Sequence, residues 1–328
     1  MTRFAFAGFR HAHINGLYTQ VQQHPDAQVI AAFEEDACAR DAAAQNLGVN
    51  FNKNSYAELL ADPDVDVVAI GDYFAKRGSL VIQALEAGKD VVCDKPICTN
   101  IEELDRIEQL VKETGRIVMP MLDLRLTGWA RTVREMIASG KLGQIHNGAF
   151  TGQHPLNYGT RPGWYFEEGK HGGTINDLAI HGIDLLPVLT GLPLEKVLFA
   201  RCWNAYAEKE PNFKDCAQFM FTLQGGVGIQ ADVSYSSPNS HVFSLPQYWR
   251  FTLWGTKGMV EFGENSPVRA YIDGESEAWL PEVSTENIPN LLECFLALKR
   301  GEETWIDMQQ AFAASRFALT AQEFADKN

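Results

Sequence analysis

Short apolar runs alternate with amphipathic stretches along the first third of the chain. The runs predict four buried strands, over residues 3–7, 28–33, 65–70 and 90–93. After the first strand, apolar side chains recur at helical spacing at Ile14, Leu17, Tyr18 and Val21. A second helix is predicted over residues 79–87, where Gly88 supplies the left-handed residue that commonly ends a helix.

The next helix carries signals for both of its ends. Thr99 followed by Glu102 fits a capping box, in which a hydroxyl and a carboxylate bond free N–H groups of the first turn. Gly115 follows the last apolar position and ends the helix. Because strands joined by helices pair in parallel with right-handed crossovers, residues 1–121 are predicted to form a doubly wound α/β domain.

Residues 122–328 have a different pattern, rich in strands. A helix is predicted near residues 130–139, and apolar residues alternate with polar ones over 227–233, as in a sheet with one wet face. Turns are predicted at 224–226 and 255–258, and helices at 288–299 and 308–324. The sequence therefore predicts a second, α+β domain built on a largely antiparallel sheet.

Length and charge narrow the class of protein. The chain has 328 residues, with 28 Lys+Arg against 42 Asp+Glu and a net charge of −14. This acidic surplus argues against a nucleic-acid or anionic-membrane partner. The sequence contains neither a membrane-spanning apolar run nor a signal-peptide pattern. Six scattered cysteines without a CxxC pair favour reduced thiols and a cytoplasmic location.

The first turn of the chain resembles an anion site. A strand, a glycine and a helix N-terminus present free N–H groups and a positive dipole end. The glycine fingerprint of a dinucleotide fold, GxGxxG, here reads GFRHAH over residues 8–13, so Gly8 is kept and Arg10 replaces the second glycine. Glu34 closes the second strand, where an acidic ribose ligand is usual. An α/β turn without any nucleotide remains an open alternative.

His11 and His13 also raise the question of a metal ion. Two nearby histidines without a third ligand in the surrounding sequence are more often ordinary residues of a helix N-terminus. The sequence therefore predicts no metal site.

Three later segments resemble one known family. The stretch ALEAGKDVVCDKP at residues 84–96 is similar to the ALeaGKhVlcEKP element of the Gfo/Idh/MocA oxidoreductases. GGTINDLAIHGID at residues 172–184 resembles the family's GGgxxxDlgxHxiD element, and WGTKG at 254–258 its late GtkG turn. The resemblance covers essentially the whole chain. It implies a Rossmann dinucleotide-binding domain at 1–121 and a substrate-binding domain with an open sheet at 122–328, assembled as a homodimer or homotetramer.

The family's catalytic residues fall on Lys95, Asp177 and His181. Asp177 and His181 are four residues apart, so on a helix they share a face, and a carboxylate beside an imidazole fixes its tautomer. Lys95 follows a parallel strand, at the edge where open α/β sheets bind ligands. His181 is thus predicted as general base and Lys95 as the group that polarises the substrate oxygen. The family also implies a cis peptide at Lys95–Pro96.

Some positions differ from the family pattern around the cofactor. Asp72 and Arg77 stand where the family commonly has a threonine and a histidine, and Asp94 replaces a glutamate. Glu34 would repel a 2′-phosphate, so NAD is favoured over NADP. The predicted cofactor-binding residues are Gly8, Phe9, Arg10, His11, Glu34, Asp72, Arg77, Asp94 and Lys95.

The resemblance implies a dehydrogenase acting on a CH–OH group of a sugar, polyol or cyclitol, a small-molecule substrate. Family segments place the substrate contacts at Arg125, His154, Arg161, Trp164 and Tyr165. Two other functions stay open. One is a relative that retains NAD and cleaves glycosidic bonds through transient oxidation. The other is a non-catalytic sensor of a ligand or nucleotide, which the altered glycine loop favours.

Overall fold

The computed structural model describes residues 1–239, 244–245, 248–283, 285 and 287–327 of the chain. These residues divide into two compact units, neither of which is continuous in sequence. The first unit comprises Met1–Met121, Gly169–Gly172 and Pro289–Phe312, and the second Leu122–Glu168, Gly173–Ile288 and Ala313–Asn328. The predicted assignment of cofactor binding to 1–121 and of substrate binding and oligomerisation to 122–328 stays a prediction.

Strands and helices alternate in the first unit, whereas the second unit is rich in strands. The strands are β1 Thr2–Ala7, β2 Ala27–Phe33, β3 Val67–Ile70, β4 Asp90–Cys93, β5 Val118–Pro120, β6 Ile145–Pro155, β7 Leu194–Trp203, β8 Cys216–Leu223, β9 Val227–Ser237, β10 Arg250–Gly255, β11 Gly258–Gly263 and β12 Ser266–Ile272. The helices are α1 His13–Gln23, α2 Ala37–Leu47, α3 Tyr56–Ala61, α4 Phe74–Glu86, α5 Ile101–Thr114, α6 Gly128–Ala138, α7 Ile180–Thr190, α8 Leu291–Arg300 and α9 Met308–Asp326.

The first unit contains a parallel sheet in the order β2-β1-β3-β4-β5, which confirms the predicted doubly wound fold. Strands β3 and β4 are buried along their whole length, as expected when helices cover both faces of a sheet. The predicted apolar stripe of α1 is also confirmed, because all four of its residues are buried. Helix α8 belongs to this unit, where the ring of Phe295 lies edge-on to Phe4 with centroids 5.7 Å apart.

Two local predictions in this unit were wrong in detail. Helix α4 begins at Phe74 rather than at Ser79, because Arg77 and Gly78, which interrupt the apolar pattern, are both buried in the fold. Helix α5 has Asn100 as its N-cap rather than Thr99. The Asn100 side chain accepts a hydrogen bond of 2.8 Å from the backbone N–H of Glu103.

The second unit contains a seven-stranded sheet in the order β12-β11-β10-β6-β9-β8-β7. Among the described pairings within this sheet, only β6 and β9 are parallel, so the predicted, largely antiparallel sheet is confirmed. The predicted alternation in β9 also holds, with Val227, Ile229, Ala231 and Val233 buried. A β-carbon at Gly182 of α7 would lie 2.5 Å from the Phe150 ring, so glycine allows this helix to pack closely on β6.

No helix among the described residues is both long and apolar enough to cross a membrane.

The cap of α5 provides a test of the fold. Replacing Asn100 with Ala removes the acceptor for the Glu103 N–H, which should lower the free energy of unfolding by about 1 kcal/mol. Glu102→Gln is the matched control, because this exposed residue lies in the same turn, and its effect should stay within about 0.5 kcal/mol. Urea denaturation measures both changes. If Glu102→Gln lowered the free energy of unfolding more than Asn100→Ala does, the result would support the capping box of Thr99 and Glu102 that the sequence predicts.

Candidate functional site

The loop after β1 is shaped by Gly8. This residue has φ of +85°, and its N–H donates to the carbonyl of Phe33 at the end of β2 over 3.0 Å. A β-carbon at Gly8 would lie 2.6 Å from the backbone nitrogen of Asp72. Both the dihedral angle and this close approach require glycine, so the loop lies directly against the carboxyl end of β3.

The N-terminus of α1 opens onto this loop. The helix begins at His13, preceded by Ala12, and among the described residues no side chain caps it. Its first turn also contains no acidic residue. The positive end of the helix dipole at this N-terminus favours an anion, and the predicted anion site stays a prediction.

Glu34 joins the loop to the end of β2. Its buried carboxylate accepts hydrogen bonds from the Phe9 N–H at 2.6 Å, the Arg10 Nε–H at 3.0 Å and the Asp36 N–H at 2.8 Å. The Glu34 side chain has no exposed surface, and these three donors fix the loop to the end of β2. The predicted contact of Glu34 with a ribose hydroxyl stays a prediction.

Arg10, which replaces the second glycine of the fingerprint, turns its guanidinium toward acidic groups. Besides the Glu34 contact, it lies 3.7 Å from a carboxylate oxygen of Glu35 and of Asp36. Burial lowers the pKa of Arg10, but the hydrogen bond to Glu34 and the charges of the nearby carboxylates outweigh it and raise the pKa above its ordinary value. The Arg10 guanidinium therefore stays charged, and nearby carboxylates of the protein balance its charge.

Asp94 lies at the end of β4 with no exposed surface. Its carboxylate accepts from Nη2 of Arg77 at 3.1 Å and faces Nδ1 of His11 at 2.7 Å and Nδ1 of His13 at 3.2 Å. Burial opposes the charged carboxylate, yet Arg77 and the two imidazoles hold the pKa of Asp94 well below its usual range. The residue is a buried anion surrounded by donors.

Arg77 supports this end of the sheet from inside. Its guanidinium is completely buried, donates to the backbone carbonyls of Asp72 at 2.7 Å and of Pro96 at 3.3 Å, and bonds the carbonyl of Lys95. The Lys95–Pro96 peptide is cis, as predicted. This geometry favours a supporting role for Arg77 over the predicted direct contact with a cofactor.

Lys95 and Asp72 complete the set that the sequence placed at this edge. Lys95 follows β4, is buried, and has its Nζ 6.0 Å from the centroid of the Phe74 ring. The Asp72 carboxylate is buried and lies 3.3 Å from Nζ of Lys76. All nine predicted cofactor-binding residues therefore belong to the first unit, at or beside the carboxyl ends of β1 to β4.

Asp177 and His181 belong to the second unit and differ locally from the prediction. Asp177 lies in a π-helical turn, Ile175–Ala179, that leads directly into α7. Wider turns of this kind occur often at functional sites. The Tyr235 hydroxyl donates to Asp177, and Nδ1 of His181 lies 4.0 Å from Oδ1 of Asp123. The predicted Asp177–His181 pair stays a prediction.

The sequence did not identify Asp123 or Tyr235. Asp123 precedes the segment around Arg125, and Tyr235 stands at a core position of the alternating strand β9. Neither residue has a distinctive local pattern, and only the fold brings them to the predicted catalytic residues.

Arg125 has a different environment from the one expected of a substrate contact. Its buried guanidinium donates from Nε to Asp184 at 2.9 Å, and Nη2 bonds the second oxygen of the same carboxylate. Burial raises the pKa of Asp184, against the opposing effect of Arg125. The contact is a buried bidentate ion pair, which favours a structural role for Arg125.

The other predicted substrate residues surround an aromatic region of the second unit. The ring of His154 lies 4.1 Å from that of Tyr248 and 5.1 Å from that of Trp249, measured between centroids. The His181 ring lies 5.2 Å from that of Trp249, so the two predicted histidines share one aromatic neighbour. The chain thus brings His154 close to His181.

Arg161, Trp164 and Tyr165 form a second group. Trp164 and Tyr165 are buried, with ring centroids 4.1 Å apart. The Arg161 guanidinium lies 4.7 Å from the Tyr165 ring centroid and donates to the carbonyls of Leu156 and Pro155. These contacts fix the position of Arg161 through backbone and ring interactions.

The pKa of His11 predicts a pH-dependent stability. Burial of the ring lowers this pKa from 6.5 to about 4, against the opposing charge of Asp94. Between these values the unfolded chain binds the proton and the folded protein does not, so stability falls as the pH falls from 6.5 toward 4. The loss reaches about 3 kcal/mol at about 1.4 kcal/mol per pKa unit.

Denaturation in chelator-containing buffer from pH 7 to pH 4 measures this effect. His11→Asn keeps a donor for Asp94 but cannot titrate, so the free energy of unfolding should fall less steeply with acid than in the original protein. His24→Asn, at the other end of α1, serves as the control. Equal slopes in all three proteins would contradict a neutral, buried His11.

Two family models match this chain, one after the other along the sequence. Residues 3–122 match the model of the oxidoreductase family with an NAD-binding Rossmann fold, and residues 130–261 match the Gfo/Idh/MocA C-terminal domain. The levoglucosan dehydrogenase of Pseudarthrobacter phenanthrenivorans is 26% identical over 73% of this chain and 65% of its own length, just under two thirds. The Bacillus subtilis scyllo-inositol 2-dehydrogenase (NAD(+)) is 25% identical over 76% of this chain and 70% of its own.

Solved structures extend the likeness to the full length. A crystal structure of an oxidoreductase from Erwinia carotovora atroseptica superimposes with a TM-score of 0.87 at 25% identity, covering 99% of both chains. The two family models together span more than half of the sequence, in the order that its motifs predicted. The chain belongs to the Gfo/Idh/MocA family of NAD(P)-binding oxidoreductases.

Proposed function

We propose that the protein is an NAD-dependent dehydrogenase that oxidises a CH–OH group of a sugar, polyol or cyclitol. The observation that carries this proposal is the edge of the parallel sheet, where Glu34 binds the loop that leads into the N-terminus of α1, a helix without a side-chain cap. A pyrophosphate suits the positive end of the α1 dipole, and Glu34, the acidic residue after β2, is proposed as the ribose ligand. The Arg10 guanidinium is paired with acidic side chains, and the loop is proposed to accommodate a dinucleotide although the second and third fingerprint glycines are replaced, by Arg10 and His13.

Lys95 and His181 are proposed to carry the proton chemistry. The Lys95 ammonium donates a hydrogen bond to the substrate hydroxyl oxygen, which stabilises negative charge as that oxygen loses its proton. His181 accepts the proton through an imidazole nitrogen, and Asp177, itself held by Tyr235, orients the imidazole. Bound NAD supplies the acceptor for the hydride that leaves the substrate carbon.

The substrate contacts proposed for this reaction are His154, Arg161, Trp164 and Tyr165. The aromatic neighbours of His154 suit the apolar face of a ring-shaped sugar or cyclitol. Dehydrogenases of levoglucosan and scyllo-inositol among the relatives support a cyclic polyol as substrate class. Arg125 is excluded from the proposed contacts, because Asp184 occupies its guanidinium.

We also propose that the chain acts as a homo-oligomer assembled through the sheet of the second unit. Leu198 and Phe199 of β7 and Met220 of β8 are large apolar residues with nearly half of their surface exposed. Such a patch is typical of an interface between copies of a chain. Six free cysteines support a cytoplasmic location.

The cofactor preference is tested by titration with NADH and NADPH, followed by energy transfer from the tryptophans. We expect NADH to bind at least about tenfold tighter, because Glu34 and its acidic neighbours repel a 2′-phosphate. Glu34→Gln keeps an acceptor but loses the charge, so it should narrow this ratio. Glu113→Gln, an exposed change on α5, should leave it unchanged. Tighter NADPH binding would overturn the preference, and binding of neither would favour the sensor.

The catalytic proposal is tested at Lys95. Lys95→Ala should lower kcat for a polyol substrate by at least about 100-fold, because the donor to the developing alkoxide is lost, while NADH affinity stays nearly intact. Lys95→Met gives the same result without the loss of volume, and the exposed Lys112→Ala is the control. Undiminished turnover would remove Lys95 from the mechanism. Retained cofactor without net NADH production would point to the glycosidase-type reaction.

A further inference from the structure

Three side chains near the loop after β1 form a cluster that has no chemical role in the proposed reaction. His11, His13 and Asp94 each offer a ligand atom, and these atoms lie within 4.8 Å of one another. The two imidazole rings are 4.4 Å apart between centroids, and their Nδ1 atoms face different oxygens of the same carboxylate. The sequence showed only the two histidines, because Asp94 follows them by more than eighty residues.

We propose that His11, His13 and Asp94 bind one divalent transition-metal ion of the Zn²⁺ type. Imidazole nitrogen and carboxylate oxygen are ligands that suit zinc and its neighbours in the first transition row. Three protein ligands leave one position open to water or to an oxygen of a bound molecule. The site is thus of the open kind, in contrast to the closed four-ligand sites that hold structural zinc.

The distances between the ligand atoms fit such an ion. Bonds of about 2.0–2.1 Å separate adjacent ligand atoms by about 2.9–3.4 Å in tetrahedral or octahedral geometry. Nδ1 of His13 lies 3.2 Å from Oδ1 of Asp94, which is within this range. All the ligand atoms lie within 4.8 Å of one another, so the side chains must close further around one ion. His13 has an exposed side-chain fraction of 40%, which gives the ion a path from solvent and lets the ring adjust.

Arg77 and Lys95 determine which metal the cluster selects. Arg77 bonds Oδ2 of Asp94, as outer hydrogen bonds to a ligating carboxylate commonly do, and leaves Oδ1 for the ion. These two cations repel any metal, so weakly bound Mg²⁺ and Ca²⁺, which prefer sets of oxygen ligands, are disfavoured. Strong nitrogen binders such as Zn²⁺ and Co²⁺ remain.

The experiment uses the full chain without an affinity tag, first stripped with a chelator. Co²⁺ is titrated by its visible absorption and Zn²⁺ by calorimetry, both without nucleotide. We expect one ion per chain and a spectrum of nitrogen and oxygen ligands. His13→Ala should weaken binding by at least about 100-fold, and His13→Cys, which restores a ligand, should recover most of it. His146→Ala, an exposed histidine elsewhere, should bind as the original protein does.

Three results would overturn the proposal. They are the absence of one-to-one binding, equal affinity in His13→Ala, and an intense thiolate charge-transfer band that assigns the ion to cysteine. The spectrum of the unaltered protein decides the last of these even if a variant fails to fold. An NADH titration of the stripped protein runs in parallel. Nucleotide binding there keeps the proposed dehydrogenase whatever the metal result, and metal binding without nucleotide binding keeps the metal site alone.

Discussion

The burial of the Asp94 carboxylate is the constraint on which the edge of the parallel sheet depends. A charge without exposed surface requires donors from the protein, and removal of one partner of such a buried pair costs about 3–5 kcal/mol. Arg77 supplies a donor from α4, His11 supplies an imidazole from the loop after β1, and His13 supplies one from the start of α1. The same arginine bonds the carbonyls next to the cis peptide, so the loop, the helix start and the Lys95 segment are fixed together.

The second unit also pairs its buried carboxylates with buried hydrogen-bond donors. The buried carboxylates of Asp177 and Asp184 each accept from a buried donor, Tyr235 in one case and Arg125 in the other. Only the first of these acids has a proposed role in catalysis. The same family motif contains both acids. Their partners differ: Asp177, which is proposed for catalysis, accepts from a tyrosine, whereas Asp184, which supports α7, forms an ion pair with an arginine.

The sequence could predict the elements better than the contacts of charged residues. Periodicity identified β9 and the stripe of α1, because burial of alternate or fourth residues is a local signal. It missed the start of α4, since a buried arginine looks like a surface residue until its partners are known. Motifs singled out Lys95 and His181 as catalytic candidates, whereas the proximity of Asp123 to His181 is visible only in the fold. Contacts between polar groups that are distant in the chain produce no periodic pattern in the sequence.

The return of α8 to the first unit has a consequence for synthesis on the ribosome. Asp90 lies in the predicted nucleotide half, yet the cation that pairs with it over 2.6 Å is Lys299. The Phe4 ring likewise packs against Phe295, which is synthesised nearly three hundred residues later. The half of the protein made first therefore leaves the ribosome with part of its core uncovered. It completes these contacts only after residues 295–299 have been synthesised, which makes an N-terminal fragment that ends at residue 121 a poor substitute for the domain.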